Sequence, residues 1–147
     1  MEKLRIGILA SLMFFAAVTA QAHDKVISFA QLPAKAQAFV QNNFDKTHVA
    51  SVSVDTEHLW KKEYTVIFNN GTKVEFDGKG NWEELSSKTE AIPVKLTPAA
   101  ILQHIHKSFP NTFVKELKRG NKMYEVEISN GLELEFTLQG EFIRVDD

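Results

Sequence analysis

Five histidines, a set of glutamates late in the chain and one tryptophan followed by two lysines are the residues of this 147-residue sequence whose types could carry chemistry. Cleavage of the chain after Ala22 would make His23 the new N-terminus, and an N-terminal histidine can chelate copper through its amine and ring together with a second histidine. The other four, His48, His58, His104 and His106, show no ligand spacing. On a helix His104 and His106 stand about 200° apart, so one ion cannot take both. They read as tail and surface histidines, with His23 the one weak metal candidate. The absence of cysteine closes thiolate zinc sites, cysteine nucleophiles, disulfides and lipid attachment through cysteine. No Gly-x-Ser-x-Gly elbow, His-Glu-x-x-His pair or phosphate-cradling glycine loop is present. The chain therefore reads as non-enzymatic and free of cofactors. The segment from Asp77 to Asn81 superficially resembles a calcium loop, but Lys79 at its third position, Trp82 at its sixth and Lys88 at its twelfth disqualify it.

The acidic set is more suggestive. Glu125 and Glu127 alternate with Tyr124 and Val126, and Glu133 and Glu135 alternate with Leu134 and Phe136. A two-residue Asn130-Gly131 hairpin would set Val126 opposite Glu135, mixing apolar and acidic side chains on one face. A three-residue loop, Ser129-Asn130-Gly131, instead pairs Tyr124 with Phe136 and Val126 with Leu134. It then sets Glu125 across from Glu135 and Glu127 across from Glu133 on the opposite face. Like charges directly opposite destabilise a sheet. They are either a docking patch for a basic partner or cation, or a solvated face neutralised by Lys115, Lys118 or Arg119. Trp60, in the segment His58-Leu59-Trp60-Lys61, reads as a candidate exposed anchor, since aromatic residues dominate interface hot spots. Trp82 and Tyr64 read as core.

The elements that position these groups appear twice. Pro33-Ala34, Val40 and Phe44 recur 65 positions later as Pro98-Ala99, Ile105 and Phe109. Tyr64, Val66, Asn70-Gly71, Phe76, Gly80 and Trp82 recur 60 positions later as Tyr124, Val126, Asn130-Gly131, Phe136, Gly140 and Phe142. The shortfall leaves the first copy with a longer first hairpin, around Asp55 to Lys62. Each copy opens on a helix. Pro33 and Pro98 suit a first helical position, Thr97 suits the cap, and the stripes Ala36/Phe39/Val40/Phe44 and Ile101/Leu102/Ile105/Phe109 supply a buried side. The period then switches to two, which marks strands. The reading is an α+β fold of two tandem helix-plus-four-strand repeats, forming an antiparallel sheet with both helices on one face. Gly71, Gly131, Gly80 and Gly140 are expected to be left-handed in three-residue turns.

Lys3 and Arg5 precede an apolar run from Ile6 to Val18 that ends at Ala20-Gln21-Ala22, the pattern of a signal peptide over residues 1–22. The run is shorter than the ~20 residues a spanning helix needs. Repeat 1 is assigned to residues 23–88 and repeat 2 to 89–147, together one structural unit. The expected location is exported, periplasmic or secreted, with no membrane anchor. With 17 basic and 19 acidic side chains, a net charge of −2 argues against a polycation that coats nucleic acid.

The order Leu32-Pro33, helix, Phe44, Tyr64-x-Val66, Asn70-Gly71-Thr72, Val74-Glu75-Phe76, Asp77-x-x-Gly80-x-Trp82 resembles the small exported PepSY-like, beta-lactamase-inhibitor-like proteins over nearly the whole mature chain, in two copies. The resemblance implies a concave sheet that docks onto a protein partner, with inhibition of a hydrolase or peptidase as its function. Its motifs are structural, so it transfers a framework and no inhibitory contact residue. The candidate partner-binding residues remain Trp60, His58, Lys61, Glu125, Glu127, Glu133 and Glu135.

Overall fold

The computed structural model describes residues 24–58 and 61–146. Among these, nine strands form one antiparallel sheet in sequence order. They are β1 (Lys25–Val26), β2 (Val49–His58), β3 (Lys61–Phe68), β4 (Lys73–Asp77), β5 (Trp82–Ser86), β6 (Val114–Arg119), β7 (Met123–Ile128), β8 (Glu133–Thr137) and β9 (Phe142–Asp146). Helix α1 (Ala34–Asn43) precedes β2, and α2 (Ala99–Ser108) precedes β6. The fold is thus α+β, and each repeat contributes one helix and four strands. The two-residue β1 is an addition to that unit, pairing Lys25 with Val54 and Val26 with Ser53 on the outer side of β2. The leader and His23 lie outside the described residues.

The hairpin registers follow the parity argument. Tyr64 pairs with Phe76 and Val66 with Val74 in the first repeat. Tyr124 pairs with Phe136 and Val126 with Leu134 in the second. The turns are closed by Gly71, Gly80, Gly131 and Gly140, with φ of 84°, 85°, 86° and 86°, a region glycine enters without the clash a Cβ would bring. β2 is ten residues long against six for β6, as the longer first hairpin required.

Residues on the inner parity of both halves join Ala36, Val40, Ile101 and Ile105 in a single core. Phe39 meets Phe76 edge-on at 5.6 Å and 80°. In the second repeat His104 stands in the place of Phe39, meeting Phe136 at 5.5 Å and 80° and stacking on Phe142 at 4.3 Å. It is half-buried in an aromatic cluster and is no surface histidine, whereas His106 is exposed.

The helix caps differ from expectation. The carbonyls of Pro33 and Pro98 accept from the backbone N–H groups of Gln37 and Leu102 at 3.0 and 3.1 Å, so each proline is itself the cap residue rather than the first helical one. Thr97 falls one position outside. It closes a 3-10 turn over Val94–Leu96, its own N–H bonding the Val94 carbonyl at 3.2 Å. Its hydroxyl is buried and has no partner among the described residues.

Candidate functional site: the open face of the sheet

Strand alternation sends every second side chain away from the helices, and on that face two rows of opposed residues cross the two repeats. The first runs Ile67, Lys73, Ser86, Glu116, Glu127, Glu133, Asp146, each residue paired with the next across adjacent strands. Its second half is four consecutive carboxylates. The other runs Thr65, Glu75, Glu84, Lys118, Glu125, Glu135, Arg144. All four sequence-selected glutamates are on these rows, on the face predicted for them.

Counter-charges reach most of the carboxylates. Lys115 Nζ lies 3.3 Å from Glu127 Oε1, one of the neutralising contacts expected from the neighbouring strand. Lys118 serves Glu116 at 3.4 Å and Glu84 at 3.7 Å. Lys73 donates to Glu75 at 2.6 Å and approaches Glu84 at 3.2 Å. Arg119 forms no ion pair among the described residues, and neither does the exposed Glu133. Glu135 is buried, and its counter-charge comes from the other side: Arg144 Nη2 of β9 donates to Glu135 Oε1 at 2.9 Å.

Sequence reasoning missed Arg144 because of a bulge. Phe136 pairs with Phe142, and unbroken pairing would put Ile143 across from Glu135. The register shifts by one at this point, so Arg144 arrives instead. The first repeat makes the same shift, Phe76 pairing with Trp82 and Glu75 with Glu84. A strand whose unbroken register leaves an acid facing an isoleucine while an arginine stands one position on was the available signal.

The electrostatics follow from this crowding. Partial burial, reinforced by the nearby Glu84 carboxylate, pushes the Glu116 carboxyl above its ordinary range. Burial and Glu75 do the same to Glu63. Burial pulls Lys73 down, but its bonds to Glu75 and Glu84 outweigh this and hold its ammonium above the usual value. Beside these rows, Ile67, Lys73, Ser86, Lys115, Glu116 and Glu127 line a shallow hollow of about 530 Å³ that spans the joint between the repeats. Lys61 is exposed at the far end of β3, 3.8 Å from Glu63. Trp60 and the side chain of His58 lie outside the described residues, so Lys61 is the described member of that trio. At the turn from Asp77 to Asn81, the Asp77 carboxylate accepts from the Lys79 and Asn81 N–H groups, both at 2.9 Å, and from Asn81 Nδ2 at 2.8 Å. Its oxygens are engaged in closing the turn. Among the described residues no three His, Asp or Glu side chains are grouped to hold a metal ion.

A family model described as "Putative beta-lactamase-inhibitor-like, PepSY-like" matches residues 18–59 and 62–144, which takes in residues of both repeats and of all nine strands. The chain belongs to this PepSY-like family. Its two matched segments accord with the tandem repeat. Among solved structures, this PepSY-like chain is similar to a "putative calcium-regulated periplasmic protein" of Bacteroides thetaiotaomicron, at 42% identity over 84% of this chain and 97% of that one, with a TM-score of 0.78. A periplasmic protein of the DUF2874 family from Bacteroides vulgatus is 38% identical, covering 86% and 99%, with a TM-score of 0.77. A third, a periplasmic protein "of unknown function" from Bacteroides vulgatus, is 28% identical over 85% and 100%, with a TM-score of 0.78. No curated protein matches. No helix among the described residues is long and apolar enough to cross a membrane.

Proposed function

We propose that this PepSY-like chain is an exported, non-enzymatic binding protein that docks a basic surface of a protein partner, a hydrolase or peptidase, on the open face of its sheet. The observation that carries the reading is the row Glu116, Glu127, Glu133, Asp146. Four carboxylates held opposite one another across neighbouring strands cost stability, and the first repeat has no such row at its equivalent positions. A partner's lysines and arginines would recover that cost on binding, through attraction that also speeds encounter. The periplasmic relatives and the family description support the compartment and the inhibitor class. The absence of a nucleophile-and-base motif and the shallowness of the hollows support a non-catalytic role.

The test is the double variant Glu127→Gln/Glu133→Gln. The isolated protein is expected to gain about 0.5–1 kcal/mol in denaturant unfolding, because two opposed charges disappear. Capture of partners from the exported fraction, and inhibition across a panel of exported beta-lactamases and peptidases, are expected to weaken and to lose salt dependence. Unchanged stability together with unchanged capture rejects the reading.

A second reading, metal binding, takes its support from a relative described as calcium-regulated. In this chain it rests on His23 as the processed N-terminus for copper, since among the described residues no three His, Asp or Glu side chains are grouped to hold an ion. Copper titration of the exported protein tests it, and His23→Ala is expected to abolish the signal.

A further inference from the structure

β9 is an outer strand of the sheet. Among the described residues it pairs only with β8, so the backbone groups on its other side have no strand beside them. The opposite edge is handled differently, since β1 covers β2. An uncovered edge is a template for a further strand, and apolar side chains gather around this one: Leu138 is 39% exposed, Phe142 39% and Ile143 45%.

The chain itself shows what such an edge accepts. In the repeat, β9 is the counterpart of β5, and the outer side of β5 is filled by β6. There Leu85 faces Leu117, Glu84 faces Lys118, and Ser86 faces Glu116. The apolar pair is buried in the core, while the charged pair meets on the open face at 3.7 Å. Carried to β9, Glu84 and Leu85 become Arg144 and Val145, followed by Asp146. An antiparallel strand fitting this edge needs an apolar residue across from Val145, an acid across from Arg144 and a base across from Asp146. Read from its own N-terminus, that strand runs base, apolar, acid. Arg144-Val145-Asp146 is that sequence, so β9 is complementary to itself.

We propose that the edge is occupied by a second copy of this chain, with β9 antiparallel to the partner's β9 about Val145. Each Arg144 then lies across from the other copy's Asp146, and each Val145 across from its counterpart. The two-fold axis stands perpendicular to the sheet, so two nine-stranded sheets become continuous with all helices on one side. An isologous contact of this kind closes on itself and stops at two copies. The contact also sets a second cation beside Asp146, the last carboxylate of the acidic row, which within its own chain has Arg144 Nη2 at 3.8 Å.

The interface is short, so a dissociation constant of about 10–100 μM is expected. Sedimentation equilibrium of the protein purified from the exported fraction, at loading concentrations up to about 0.5 mM, reads it directly. Asp146→Arg leaves the Arg144–Glu135 pair in place but sets cation against cation twice across the axis, and it is expected to weaken dimerisation at least about tenfold. Arg144→Asp is expected to do the same with anions. An equimolar mixture of the two variants is expected to restore the dimer, because the opposed charges are again of opposite sign. Circular dichroism establishes that each variant is folded. If Arg144→Asp is not, having stripped Glu135 of its cation, Asp146→Arg alone decides. A wild-type chain that stays monomeric throughout, or an Asp146→Arg chain that dimerises like the wild type, overturns the proposal.

Discussion

At Glu116 the physics of a single carboxylate is already the physics of the open face. Its partial burial and the charge of Glu84 raise its pKa, as burial and Glu75 raise that of Glu63. A raised carboxyl pKa means the folded state holds its proton more tightly than the unfolded one. Each such group therefore costs stability when ionised at neutral pH, and the cost is relieved as pH falls through the raised pKa towards the ordinary value of 4.5. Asp77 behaves oppositely. Burial raises its pKa, but bonds from Asn81, Lys79 and Gly80 outweigh burial and hold it below 3.8, so its stabilisation is full above that value and is lost as pH falls through the lowered pKa. Thermal unfolding is accordingly expected to shift upward as pH falls from neutrality towards 4.5 and to decline on the acid side of 3.8. In Glu116→Gln the upward part flattens, while stability at pH 7 rises by about 0.2–1 kcal/mol. An unaltered pH profile in that variant would show that Glu116 is not strained. Glu125, Glu127, Glu133 and Glu135 were legible in the sequence because parity alone decides the face of each glutamate, whereas Glu116 and Asp146, which complete the acidic row, joined it only through the pairing of β6 with β7 and of β8 with β9. The counter-charges were only partly legible. Lys115 stands on the neighbouring strand and was foreseeable, but Arg144 reaches Glu135 through a bulge, whose trace in the sequence is an arginine one position beyond the isoleucine that unbroken pairing would set against the acid.

Between residue and fold, the hairpin turns show two kinds of glycine under one backbone geometry. Gly71 and Gly80 have nearly the same φ, 84° and 85°, yet a Cβ on Gly71 would meet nothing within 4 Å, whereas one on Gly80 would stand 2.9 Å from both the Ala36 nitrogen and Pro33 Cβ. In the second repeat a Cβ on Gly131 is likewise free, and one on Gly140 would come within 2.8 Å of Ala100 Cβ. The second turn of each repeat is thus tucked against the start of its helix, and the glycine is what lets sheet and helix approach. Gly71→Ala is expected to cost only the left-handed strain, about 1–2 kcal/mol. Gly80→Ala adds a backbone clash and is expected to cost about 2–5 kcal/mol. Chemical denaturation of the two variants side by side checks this, and equal losses would mean the helix can shift to make room. Turn and strand were readable because Asn-Gly and a period of two are local signals. The caps were not. A proline before a helix fits either the first helical position or the cap, and only the carbonyl acceptor distinguishes them, which left Thr97 outside with a buried hydroxyl that has no partner among the described residues. β1 escaped for a related reason: two residues carry no period, and their pairing is fixed by the edge of β2 they land on.

Across the whole molecule, the duplication raises the question of whether the halves are independent. Their direct strand joint is narrow, since β5 and β6 share three residue pairs. Two further backbone bonds extend it, from the Ser87 N–H to the Lys115 carbonyl at 2.8 Å and from the Ile92 N–H to the Val114 carbonyl at 3.1 Å. What decides the matter is burial. Leu85 and Leu117 face each other across the joint at 0% exposure, and the core they belong to runs through both halves without interruption. Separating the repeats would open two sheet edges to water and strip apolar contact from both leucines, so neither half has a closed surface alone. We expect one cooperative transition. Leu117→Ala, which belongs to the second repeat, should lower stability by about 2–5 kcal/mol. Both tryptophans, Trp60 and Trp82, lie in the first repeat, so tryptophan fluorescence follows that half, while hydrogen exchange at the amides of β7 and β8 follows the other. The two probes should shift to the same new midpoint although the substitution touches only one copy. A fluorescence midpoint that stays put while the second repeat loosens would mean that the duplicated units, alike in sequence and in strand order, fold as two domains that merely share an edge.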